Sequence, residues 1–419
     1  MEHIRRYDRE ELRTYYSSLP VTGAEVWANY AVNLWEYEHA VETLTSYPWN
    51  ITIPMTEVCN AVCTFCSSPL VPHPKEITTE QIQHFSTALR YAVRVSLQGL
   101  GEPLAHPRFE AVVAEIKKYL NPVATLDLIT NGWLLSEHRW ELLKEIRISD
   151  LHVSVNAASD QTHQVAMGSK PGTFGRVVQH IEHVLADPDW PRNLKVSMVI
   201  TRHSLPEVPK FLELFATRGV KRFQFNALLP LSAPDWGFGH TGQYLALWCG
   251  HLPDAPRLVE EAKAAIENYS LQGVQIAATP DQWLLPVDQR LPGSVSPPLT
   301  SDQAALVQIS GLAEPCAEGS TVHRNGSEKH DRSPRNHPSK SARVYCPMVY
   351  NVLSVFHHSL DISVCCYMEN ASGHLRPNLT QRDLLASYND SGFRLVRRTL
   401  NSDTHLPVCD LCPYGPLRS

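Results

Sequence analysis

The stretch "TEVCNAVCTFCSSP", residues 56–69, follows an apolar run, "WNITIPM" (49–55), that reads as a β-strand. It sets Cys59, Cys63 and Cys66 at a C-x3-C-x2-C spacing. A structural zinc site asks for four ligands, usually from C-x2-C pairs, and no fourth Cys or His stands close by. A [4Fe–4S] cluster normally takes four cysteines, so three would leave one iron open to something other than protein. The missing ligand is then the functional feature. The bland alternative is three buried, inert thiols. A loop after the first strand also lies where parallel α/β folds keep their active sites, at strand C-termini.

Working outward, the 419 residues suggest about two to three domains. Net charge is −6 with no basic stripe, so nucleic acid is not the expected partner. No apolar run approaches the ~18 residues of a membrane span, and "MEHIRRYDREELRTYY" (1–16) is too charged for a signal peptide. A cytoplasmic chain without membrane association is expected. Its ten cysteines then read as metal ligands or catalysts rather than disulfides.

Residues 1–48 carry helical spacing in "EVWANYAVNLWEYEHAVETL". From about 50 the chain alternates strand-like runs with amphipathic ones. The strand candidates are 50–55, 93–99, 124–130, 150–156, 194–200 and 221–227, with one more after "LVEEAKAAIENY". Six strand–helix units argue for a parallel sheet with helices outside, either doubly wound or curved into a barrel. Residues 290–343 are rich in Pro, Ser and Gly and read as a flexible loop; His323, His330 and His337 recur there without fixed geometry. From 344 to 419 the chain reads as a small domain stapled by metal.

The motifs resemble those of the radical S-adenosylmethionine (radical SAM) superfamily. "CNAVCTFC" is similar to the family's C-x3-C-x-aromatic-C loop, with Phe65 as the aromatic. "LQGLGEPLAHP" resembles its glycine–glutamate–proline motif through Gly99, Gly101, Glu102 and Pro103, which the resemblance directs to the amino group of the cofactor's methionine. "LITNGWLL" closes the third strand as in many members. Ser154 and Asn156 end the fourth, where the family commonly meets the ribose or carboxylate. Arg202 and His203 after the fifth strand, and Asn226 at the end of the sixth, are further candidates for the pocket, while His180 and His183 read as surface residues. The resemblance implies a partial (β/α)6 TIM-like barrel over 49–289, with a [4Fe–4S] cluster and S-adenosylmethionine at its mouth.

The tail, "YCPMVYNVLSVFHHSLDISVCCYM" and "LPVCDLCPYG", is similar to the twitch, or shortened SPASM, extension of some radical SAM enzymes. There the resemblance implies one auxiliary [4Fe–4S] cluster on Cys346, Cys365, Cys409 and Cys412, with Cys366 the alternative to Cys365 and a four-thiolate zinc site the rival. Cys249, Cys316 and Cys366 are weak catalytic candidates as hydrogen-atom donors. The resemblance implies a flavodoxin or ferredoxin electron donor and a polar small-molecule substrate, as in sugar- and aminocyclitol-modifying members of antibiotic pathways. The alternatives are a peptide-modifying enzyme and, more distantly, a non-catalytic metal protein.

Overall fold

The computed structural model describes residues 8–66, 68, 71, 73–190, 193–228, 247–284, 348–356, 360–363 and 377–400. The 290–343 segment with its histidines, and Cys316, Cys346, Cys365, Cys366, Cys409 and Cys412, lie outside the described residues.

Helices α1 (Arg9–Ser17) and α2 (Ala24–Glu38) come first. The alternating body follows: β1 (Asn50–Pro54), α3 (Thr79–Ile82), α4 (Ser86–Tyr91), β2 (Arg94–Gln98), α5 (Phe109–Tyr119), β3 (Thr125–Thr130), α6 (Glu137–Glu145) and β4 (Asp150–Ser154). It continues through α7 (Asp160–Met167), α8 (Thr173–Ala186), β5 (Leu194–Ile200), α9 (Val208–Ala216), β6 (Arg222–Ala227), α10 (Ala255–Leu271) and β7 (Gln275–Ala277). The tail adds α11 (Met348–Asn351), β8 (Val352–Phe356), β9 (Asp361–Ser363), α12 (Leu384–Tyr388) and α13 (Ser391–Leu400).

The helices form for reasons visible in their spacing. In α5 the buried residues are Phe109, Val112, Val113 and Ile116, and in α9 they are Val208, Phe211, Leu212 and Phe215. Both sets fall at i, i+3, i+4, i+7, one face of a helix. Ser136 and Ser159 cap α6 and α7, each accepting a main-chain N–H from three residues on. Gly168, left-handed, ends α7.

One sheet runs β7-β6-β5-β4-β3-β2-β1-β8-β9, parallel throughout except for the β8–β9 pair. Each strand alternates. Leu151 and Val153 of β4 join the apolar core beneath the helices, while Asp150, His152 and Ser154 face the other way. Across that second face Arg222 on β6 reaches over β5 to Asp150 on β4 at 2.6 Å. A parallel sheet curved around a polar interior, with helices outside, is the expected partial barrel. The described part of the tail packs into the same body. β8 pairs with β1, and Leu353, Tyr388 and Phe393 lie in the main core. Asn33 of α2 donates to the Tyr350 carbonyl at 3.0 Å, joining the first helices to the tail.

Candidate active site at the strand C-termini

The cysteine loop leaves β1 and is gripped from two sides by main-chain hydrogen bonds. On one side Gly101 N–H donates to the Thr56 carbonyl and Glu102 N–H to that of Val58, both at 2.9 Å. A Cβ on Gly101 would stand 2.3 Å from the Val58 carbonyl oxygen, so only glycine permits this approach. On the other side Val62 and Thr64 N–H donate to the Met167 and Ala166 carbonyls at the end of α7, both at 3.0 Å. Gly168 is needed there for the same reason: its φ is +64°, and a Cβ would lie 2.8 Å from the Val62 carbonyl oxygen.

Glu102 is buried, with its carboxylate turned into the protein. It accepts from Leu104 N at 3.1 Å, Thr130 Oγ1 at 2.7 Å and Asn131 N at 2.7 Å. Burial raises its pKa and these bonds oppose the rise. Through these bonds the carboxylate ties β2 to β3. Pro103 opens the buried 3₁₀ turn that follows. Phe65 packs on Ala61, Ala166 and Met167 and also on Leu228 and Leu247, so it joins the loop to the end of β6.

The three cysteines form no disulfide with one another and are partly exposed. Desolvation pushes the Cys59 and Cys63 thiols up, and neighbouring thiols add to both shifts. The three thiols thus lie within electrostatic reach of one another. Among the described residues no three His, Cys, Asp or Glu side chains gather closely enough for a single metal ion. Three thiols from one loop are the donor chemistry of an iron–sulfur cluster. The residues fit that group.

The remaining candidates divide. Ser154 lies at the inner wall, accepting from Ser197 Oγ at 3.4 Å. Asn156 is buried with φ 61°; its Oδ1 accepts from Val199 N at 2.9 Å and its Nδ2 donates to Met167 Sδ at 3.1 Å. This amide is engaged within the protein. Arg202 is exposed at the end of β5, its N–H on the Leu247 carbonyl at 2.8 Å. Asn226 lies toward the end of β6 and accepts from Gln224 Nε2 at 2.7 Å. Cys249 is buried in the core, its thiol donating to the Trp283 carbonyl at 3.2 Å. His180 on α8 donates to the Gly132 carbonyl at 2.9 Å.

Sequence reasoning singled out neither Asn131 nor Met167, although both touch the cysteine loop. "LITNGWLL" held the signal for Asn131, whereas nothing in the spacing marks Met167. The charged lower wall was missed as well. It comprises Arg94 on Asp127, Arg222 on Asp150, and Lys195 Nζ on Gln224 Oε1 at 2.7 Å. Beside them burial and nearby cations hold the His152 pKa down to about 3.

Residues 53–186 match the family model described as the radical SAM superfamily. The chain is similar to the AdoMet-dependent heme synthase of Methanosarcina barkeri, 30% identical over 197 residues, 46% of this chain and 54% of that protein. It is also similar to the sporulation killing factor maturation protein SkfB of Bacillus subtilis, 26% identical over 233 residues, 55% of this chain and 54% of that protein. The chain thus spans about half the length of these curated relatives. In fold it is similar to Streptococcus suis SuiB bound to S-adenosylmethionine, with TM-score 0.55 and 12% identity over 95% of this chain and 77% of that one.

Proposed function

We infer from the radical SAM domain at residues 53–186 that this enzyme cleaves S-adenosylmethionine reductively and takes a hydrogen atom from a substrate at the barrel mouth. One observation carries the reading: a three-thiol loop, locked by main-chain bonds to "GLGEP" and to the end of α7, at the C-terminal end of the sheet. Cys59, Cys63 and Cys66 would hold a [4Fe–4S] cluster, which when bound would supply the electron for splitting the sulfonium into methionine and a 5′-deoxyadenosyl radical. The chain's own part is to hold the loop, seat the cofactor along the ends of β2 to β6 and keep water from the radical.

The inner wall offers Ser154, Ser197, Gln224 and Asn226, which supports a polar substrate. We assign a sugar, aminocyclitol or nucleoside intermediate, oxidised at a C–H that bears a hydroxyl; epimerisation, dehydration and decarboxylation are other fates of the same radical. A peptide substrate is the second reading, favoured by the likeness to the SkfB maturation protein. An auxiliary cluster on Cys346, Cys365, Cys409 and Cys412, and a flavodoxin or ferredoxin donor, belong to the proposal.

The test is anaerobic reconstitution followed by reduction with S-adenosylmethionine present. The account expects 5′-deoxyadenosine, and deuterium carried into it from deuterated sugars or aminocyclitols. Transfer from a deuterated peptide instead would select the second reading. No 5′-deoxyadenosine under a strong reductant would overturn both.

A further inference from the structure

Asn131 stands where β3 ends, and each atom of its side chain has a fixed part. The main-chain N–H of Trp133 donates to Asn131 Oδ1 at 2.9 Å. A donor meets only the oxygen of an amide, so this bond settles the orientation and turns Nδ2 toward the cysteine loop. There Nδ2 donates to Asn60 Oδ1 at 2.6 Å and lies 4.0 Å from Cys59 Sγ. The main chain of Asn131 is fixed too, its N–H donating to the buried Glu102 carboxylate at 2.7 Å. A line of bonds thus runs from Glu102 through Asn131 to Cys59.

The three sulfurs have unlike surroundings. Cys59 Sγ faces Asn131 Nδ2 and also the Ala61 N–H at 3.5 Å. Cys66 Sγ accepts from the Ser68 N–H at 3.4 Å, while the Cys63 thiol donates to Met167 Sδ at 3.4 Å. The Asn131 donor is a side chain, so substitution removes it without rebuilding the main chain.

We propose that Asn131 is a positioning residue for the iron–sulfur cluster, holding Cys59 through an amide-to-sulfur hydrogen bond that raises the cluster's reduction potential. The inference rests on the reading that Cys59, Cys63 and Cys66 carry the cluster. Reduction adds negative charge that spreads onto the sulfurs, so an N–H donor favours the reduced form, and hydrogen bonds to sulfur are among the levers on such potentials. Glu102 acts one step further back, by fixing where Asn131 starts.

The experiment is a redox titration of the reconstituted full chain, followed by electron paramagnetic resonance. The relevant signal is the one absent from the Cys59/Cys63/Cys66→Ala variant. Asn131→Leu is expected to shift the midpoint to more negative potential. Asn131→Asp, which keeps the Trp133 bond but replaces the donor with a charge, is expected to shift it further. Asn60→Ala frees Nδ2 for Cys59 and is expected to leave the midpoint in place or raise it. If Asn131→Leu fails to keep its cluster, the other two variants decide.

Midpoints unchanged in Asn131→Asp, or lowered in Asn60→Ala, would overturn the inference while leaving the cluster reading intact. A signal that never forms in the unaltered protein would overturn both.

Discussion

At the mouth of the barrel the cysteine loop is held by main-chain hydrogen bonds on two sides, whereas the lower wall is closed by side-chain ion pairs. The difference follows from what each end must do. Main-chain bonds through glycine fix a loop closely without using its side chains. The lower wall needs only to keep strands together, and side-chain ion pairs do that, Arg222–Asp150 partly exposed on both sides and Arg94 covering the buried Asp127.

The sharpest way to break the comparison is Gly101→Ala. The added Cβ would lie 2.3 Å from the Val58 carbonyl oxygen, against main chain that has no rotamer to change. Overpacking of this kind costs about 3 kcal/mol, so we expect a lower unfolding midpoint and a large loss of bound iron. A variant that keeps full iron would show the loop tolerates a looser grip. Gly168→Ala is expected to act alike on the opposite side, since it meets both a positive φ and the Val62 carbonyl.

Acid sharpens the comparison through His152 in the lower wall and His163 on α7, beside the cysteine loop. The folded-state pKa of His152 is held near 3 and that of His163 near 4, in both cases first by burial. Both are depressed below the unfolded value of about 6.5, so the unfolded chain binds the extra protons. Stability is therefore expected to fall as pH drops below about 6.5, by roughly 1.4 kcal/mol per pH unit for each group until it approaches its folded pKa. His152→Leu should flatten this slope in urea titrations between pH 6 and 4.5. An unchanged slope would show that His152 takes up its proton in the folded state.

The smallest effect belongs to Arg222→Met. The Arg222–Asp150 pair is about one-third exposed on each side, at 36% and 27%. Such pairs contribute about 0.5–1 kcal/mol, so a modest loss of stability with iron binding intact is expected. Loss of iron in this variant would mean that the two ends are coupled and the contrast drawn above is wrong.

Much of the barrel was legible because its strands carry local signals. "LKVSMVI" is β5 residue for residue, and the other five candidates match to within a residue or two. β8 carried no such signal as a barrel strand. Its partner β1 lies some three hundred positions earlier, and pairing at that separation leaves no local pattern in sequence. The candidate site divides in the same way. The cysteine spacing and "GLGEP" were readable as words, yet the partners of Glu102 were not, since its three donors come from its own turn and from the end of β3. Asn156 and Asn131 make the point most clearly. Both are asparagines just past adjacent strands, and only the fold shows that the first bonds inward to Val199 and Met167 while the second reaches Cys59.

The central claim is that the loop carrying Cys59, Cys63 and Cys66 holds a cluster at the barrel mouth. The most direct measurement counts iron and sulfide per chain after anaerobic reconstitution, in the unaltered protein and in the Cys59/Cys63/Cys66→Ala variant. The account predicts a difference of about four irons and four sulfides between them. Equal counts in the two proteins would contradict it.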